Sequence, residues 1–185
     1  MKISNSFKNK LIKDSATLQR KVNQYVAIKE SNGDDILFRK NFISLYVLRF
    51  INQDHYFDVL KNYCSNKNHL ELKSVIEALD KERVNFSFAT KLMHTVDNDL
   101  PIYDSLISRA LCLPKRDYNI DKKVRMENCA TIYSNLKSIN ELIFRHDMLN
   151  ESLDLFKKNI SSSNKLSKAK RVDFIIWFSE RKSLK

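Results

Sequence analysis

Apolar residues recur along most of the chain at spacings of three and four, the period of helices that bury one face. Residues 6–29 carry Phe7, Leu11, Ile12, Leu18, Val22, Tyr25, Val26 and Ile28 on this pattern, which predicts a first helix. Ser31–Asp35 interrupts it, and Asp34 or Asp35 is placed to cap the next helix, over 35–52. That helix is the most apolar in the chain. Its apolar residues nearly encircle it, which predicts passage through the core. Shorter amphipathic helices are predicted near 55–64 and 68–81, then at 86–96 and 102–112. Pro114 bars helical continuation of the residue before it, so 113–119 reads as a loop. A long helix follows over 120–145, with Val124, Cys129, Ile132, Tyr133, Leu136, Ile139, Leu142 and Ile143 facing inward. Two more are predicted at 149–159 and 165–182, on either side of Ser161–Asn164.

Composition sharpens the fold class to all-α. There is one glycine, Gly33, in 185 residues, and glycine is the residue that most cheaply supplies the positive φ of tight hairpins. Neither a dinucleotide-binding glycine fingerprint nor a phosphate-binding glycine loop can be written with Gly33 alone. The expected architecture is a single multi-helix domain over 1–185, open to division into lobes 31–112 and 1–30 plus 113–185.

The net charge of +11 is concentrated at the ends: residues 1–30 and 164–185 each carry an excess of five positive charges. Such ends can bind a polyanion by displacing condensed counterions, or can serve as solvated surface. Cys64, Cys112 and Cys129 are scattered and odd in number. They read as reduced, part-buried thiols of a cytoplasmic protein, without the spacing of a zinc site. No membrane span, cofactor or metal site is implied.

The candidate chemistry lies at Asn98-Asp99-Leu100-Pro101, where two apolar helices meet, and at Asp104 three residues beyond the proline. A carboxylate in the first turn of a helix has a fixed direction and field. The same aspartate also reads as a simple helix cap. His94 and Asp97 are three apart on the preceding helix, in reach of one another and close enough in sequence to Asp104 for general-base work. Tyr103 is suited either to stacking on a base or to filling the core. Asp97, Asp99 and Asp104 with Lys91 could also be drawn as a two-metal nuclease set. Such sets more often stand on strands, which this chain offers sparingly. Lys115, Arg116, Lys122 and Lys123 flank the region as candidate phosphate contacts.

The segment Leu100-Pro-Ile-Tyr-Asp-Ser-Leu-Ile-Ser-Arg-Ala-Leu111 resembles the helix-hairpin-helix (HhH-GPD) superfamily of DNA glycosylases, the alkylated-base branch in particular. Ser87, Lys91, Leu92 and His94, followed by Pro101 to Ser105, are also similar to small bacterial proteins with an S-x-x-K-x-L-H…P-I-Y-D-S signature. The first resemblance implies a DNA-glycosylase-like fold, duplex DNA as partner and Asp104 as catalytic aspartate. Tyr103 and His94 would then be at the pocket. The family's Gly-x-Gly hairpin turn is replaced here by Arg83–Ala89, where Asn85 and Ser87 are the residues left to contact DNA. The nucleophilic lysine of the bifunctional branch has no counterpart, which implies base removal without a lyase step. The alternative is a non-enzymatic helical binding protein that keeps the scaffold and uses Asp104 as a helix-start residue.

Overall fold

Helices account for every regular element among the described residues. The structure, a computed structural model, describes residues 2–31, 35–48, 51–66, 70–80, 82–114 and 120–181. In order they are α1 (Lys2–Glu30), α2 (Ile36–Tyr46), α3 (Gln53–Ser65), α4 (Leu72–Leu79), α5 (Phe86–Val96), α6 (Ser105–Ala110), α7 (Lys122–Arg145), α8 (Asn150–Asn159) and α9 (Lys168–Glu180). A short 3-10 turn at Ser163–Lys165 precedes α9. Two compact units divide them: one joins Met1–Val47 to Leu142–Lys185, and the other is Leu48–Glu141.

In the first unit α1 packs along α2, α8 and α9. Its core is aromatic. Phe7 stacks on Phe156 at 6.3 Å and meets Phe178 edge-on at 6.1 Å, and Tyr25 meets Phe174 edge-on at 6.0 Å. α1 is kinked at Asp14, which leaves helical geometry at φ −149°, ψ 39°. The stretch before the kink is tied to the end of α9. Ser6 Oγ donates to the Ser179 carbonyl at 2.6 Å, and Lys10 Nζ donates to the carbonyls of Ser179 and Arg181. The last carbonyls of a helix lack partners within it, and a cation at that end is electrostatically favoured. Burial holds the Lys10 pKa below its ordinary value.

α2 departs from the sequence-based expectation. It stops at Tyr46, because Val47 takes the left-handed conformation at φ 52°. Only one face is buried, through Phe38, Phe42 and Tyr46, while Ile36 is 84% exposed. The long apolar run that reads as one core helix is therefore split. Residues up to Val47 belong to the first unit, and the buried Leu48 opens the second.

In the second unit α3, α4 and α5 pack against one another. Leu72, Val75, Ile76 and Leu79 form a single buried stripe on α4, as their spacing requires. The Tyr56 hydroxyl of α3 donates to the Phe88 carbonyl of α5 at 3.2 Å. α5 begins after a turn organised by Asp80, whose Oδ1 accepts from the N–H groups of Glu82 (2.8 Å) and Arg83 (3.0 Å). These bonds, chiefly that of Glu82, hold the Asp80 pKa below its ordinary value. A depressed carboxylate stabilises most above the ordinary range, and the contribution fades as pH falls through the lowered value.

Left-handed backbone occurs at three described residues, Val47, Cys112 and Asp147, none of them glycine. At Cys112 it closes α6: the Leu113 N–H returns to the Ser108 carbonyl at 2.9 Å. Among the described residues no helix is long and apolar enough to cross a membrane.

Candidate functional site: the turn between α5 and α6

The residues singled out around Asp104 belong to one braced turn in the second unit. α5 covers Phe86–Val96, as its spacing predicts, and the chain then turns through Asp97–Asp104 before α6. The second helix is shorter than the expected 102–112. Pro101, Ile102 and Tyr103 are buried ahead of it and belong to no helix.

Asp104 is the N-cap of α6. Its Oδ1 accepts from the N–H groups of Leu106 and Ile107, both at 2.8 Å, satisfying two donors that the helix itself leaves unpaired. Both bonds use the same oxygen, so Oδ2 accepts none among the described residues, and the side chain is half-buried. Asparagine retains a capping oxygen and alanine does not. Asp104→Ala is therefore expected to lower stability by about 1 kcal/mol and Asp104→Asn by much less. Urea denaturation of the two variants checks this, and an alanine variant as stable as the parent would remove the capping role.

Tyr103 is in the core. Its ring is 4% exposed and stacks on Phe86 at 4.3 Å between centroids. His94 is 1% exposed, and its Nδ1 lies 2.7 Å from the Leu100 carbonyl. A carbonyl only accepts, so Nδ1 carries the proton. Asp97, the expected partner of His94, accepts from the Asp99 N–H at 3.0 Å. Lys91 is also buried, with Nζ 5.2 Å from the centre of the Phe88 ring.

Asn85 is the half-buried N-cap of α5, and its Nδ2 donates to Asp80 Oδ2 at 3.3 Å. The Ser87 carbonyl accepts from the Thr90 hydroxyl at 3.1 Å. Lys122 and Lys123 open α7, where the Lys123 N–H is capped by Asp121 Oδ1 at 2.7 Å. Lys123 is exposed and Lys122 half-buried. Lys115 and Arg116 lie outside the described residues.

Two further residues support this turn: Thr90, which the sequence pattern does not single out, and Tyr133, which it places only in the core. Thr90 is fully buried, and its Oγ1 accepts from the Tyr103 N–H at 3.0 Å. A threonine inside an apolar helical stripe was the available signal. Tyr133, on α7, meets Phe86 edge-on at 6.3 Å, and its buried hydroxyl has no hydrogen-bond partner among the described residues. Burial, and secondly the Asp97 charge, pushes the Tyr133 phenol above its ordinary pKa, so it is neutral at physiological pH. A buried hydroxyl without a partner is costly to keep. Tyr133→Phe is therefore expected to raise stability by about 1 kcal/mol, read from the denaturation midpoint at constant slope. A loss of stability would show that the hydroxyl has a partner in solution.

No three Cys, His, Asp or Glu residues converge to hold a metal among the described residues. Cys64 and Cys112 are exposed rather than part-buried, and Cys129 is buried. In the first unit an open trough of about 530 Å³ runs along α1 past Gln19, Arg20 and Asn23, with Asn41 of α2 on its border. No family model matches the chain, and no curated protein or solved structure matches it either.

Proposed function

We propose that the chain is a DNA-binding protein of glycosylase-like build, in which the Asp104 carboxylate removes a base without a lyase step. The observation that carries this reading is the state of that carboxylate. One oxygen is held by two backbone amides and the other accepts no bond among the described residues, so the group is both directed and available. Cleaving an N-glycosidic bond builds positive charge on the sugar, and a fixed carboxylate stabilises that charge without having to reorganise. The bond between sugar and base breaks, water adds to the sugar carbon, and the water's proton passes to the carboxylate or the departing base. The target nucleotide would have to leave the duplex first. The net charge of +11 and the lysines opening α7 suit a duplex partner. The three cysteines are free, which suits a reducing cytoplasm.

A second reading is a helical binding protein with no chemistry, in which Asp104 is a cap alone. It is favoured by the burial of Tyr103 and His94, the two residues expected at a pocket. One experiment separates the readings: base release from duplexes holding alkylated, oxidised or deaminated bases, with Asp104→Asn as control. The substitution removes the charge but keeps a capping oxygen. Release lost in the variant supports the first reading, and release retained rejects Asp104 as the acting group. No release together with salt-dependent duplex binding supports the second. Without either, the chain is not a DNA-binding protein.

A further inference from the structure

We infer that Thr90 and His94 are positioning residues: a two-point clamp on α5 that fixes Leu100–Tyr103 and thereby sets the place of the Asp104 carboxylate. The two are four residues apart and so share one face of α5. Both are buried, at 0% and 1% exposure. Each bonds to the backbone of the turn at a different point: His94 Nδ1 donates to the Leu100 carbonyl at 2.7 Å, and Thr90 Oγ1 accepts from the Tyr103 N–H at 3.0 Å. The single proton of the Thr90 hydroxyl is then directed to the Ser87 carbonyl at 3.1 Å or the Tyr103 carbonyl at 3.4 Å.

These bonds meet a specific need. Pro101 has no N–H, and the residues between α5 and α6 have no helical ladder to hold their register. The Phe86–Tyr103 stack presses the ring inward, but apolar contact is not directional. Hydrogen bonds are directional, and the one at Tyr103 acts on the residue immediately before Asp104. A displaced Tyr103 backbone would carry the Asp104 carboxylate away from the Leu106 and Ile107 amides.

The consequence for catalysis rests on the function proposed above, whereas the clamp itself does not. The test is therefore amide hydrogen exchange at Leu106 and Ile107, read against the Tyr133 amide of α7. It is carried out on the full chain with Thr90→Val, Thr90→Ser, His94→Leu and His94→Asn. Valine and leucine remove the bonding atoms; serine and asparagine keep one. The expected result is exchange about tenfold faster at Leu106 and Ile107 in the valine and leucine variants, with Tyr133 unchanged and the conservative variants near the parent. Unchanged exchange, or a uniform rise that includes Tyr133, overturns the clamp. If the parent releases a base, Thr90→Val should lower kcat with KM kept, and serine should restore it. An unchanged kcat beside loosened amides overturns the link to Asp104. A parent that releases no base defeats the proposed function, and the exchange result then decides the clamp by itself.

Discussion

Replacing Asp173 by alanine is expected to cost about 3 to 5 kcal/mol, the typical effect of breaking a buried ion pair from one side. Lys170, its partner, has a side chain only 2% exposed, and Asp173 is 15% exposed. Their charged atoms are 2.7 Å apart on successive turns of α9. The ammonium also faces three rings, with Nζ at 4.7 Å from the centre of Tyr25, 4.8 Å from Phe174 and 5.6 Å from Tyr46. Ring faces attract a cation, but each contributes about 0.5 to 2 kcal/mol, short of what the desolvation of an ammonium demands. Asp173 is therefore the group that makes a buried Lys170 tolerable. Its negative charge also acts on Tyr46, whose phenol is raised well above its ordinary pKa by burial first and by Asp173 second. The double variant Lys170→Met, Asp173→Leu removes both charges, and its expected cost is far smaller than that of Asp173→Ala. Thermal or urea unfolding of the two variants beside the parent checks both expectations. A single-variant loss below about 1 kcal/mol would mean that Lys170 reaches water and is not held as described.

Phe86→Ala is the second large effect, expected at about 3 to 5 kcal/mol from lost burial and the cavity left behind. Phe86 is fully buried at the start of α5, stacked on Tyr103 and edge-on to Tyr133. It connects the two sides of the candidate site, α7 through Tyr133 and the turn through Tyr103. Its loss should therefore do more than lower the unfolding midpoint. The near-ultraviolet signal of the tyrosines should change in the folded state, because two of its neighbours lose an aromatic partner. Phe86→Leu, which refills much of the volume, should recover more than half of the loss. A cost near 1 kcal/mol for alanine would indicate that the surroundings collapse into the space, and that Phe86 does not hold Tyr103 in place.

The helices were legible where one face does all the burying. Phe86, Ala89, Leu92 and Met93 repeat on a single stripe, and α5 has its predicted limits. Cys129, Ile132, Tyr133, Leu136 and Ile143 are buried on α7 for the same reason, although Val124 and Leu142 are 44% and 47% exposed. Those two mark where periodicity outruns the packing available near the helix ends. The end of α2 is not legible because hydrophobicity carries no sign of which core a residue enters. Val47 and Leu48 are adjacent apolar residues that belong to different units. A β-branched residue at φ 52° also gives no compositional warning of a helix end. At the site, Asp104 was legible as a cap because caps are local, fixed by the two or three residues that follow. Thr90 was not, since its partner Tyr103 is thirteen residues away and nothing short-range marks the pair. Asp80, which shapes the entry to α5, is likewise not legible, because its bonds to Glu82 and Asn85 leave no trace in the hydrophobic pattern.

The division of the chain also has a temporal consequence. Leu48–Glu141 is one uninterrupted stretch, whereas the other unit is assembled from the two ends, down to a bond between Ser6 and Ser179 across 173 residues. A ribosome releases the inner unit whole, and its helices can find their neighbours at once. α1 is made before that unit and must wait for α8 and α9, which at ordinary elongation rates is on the order of ten seconds. During that interval Phe7, whose ring partners Phe156 and Phe178 are on α8 and α9, has no permanent cover. That face of α1 is thus vulnerable until α9 is made.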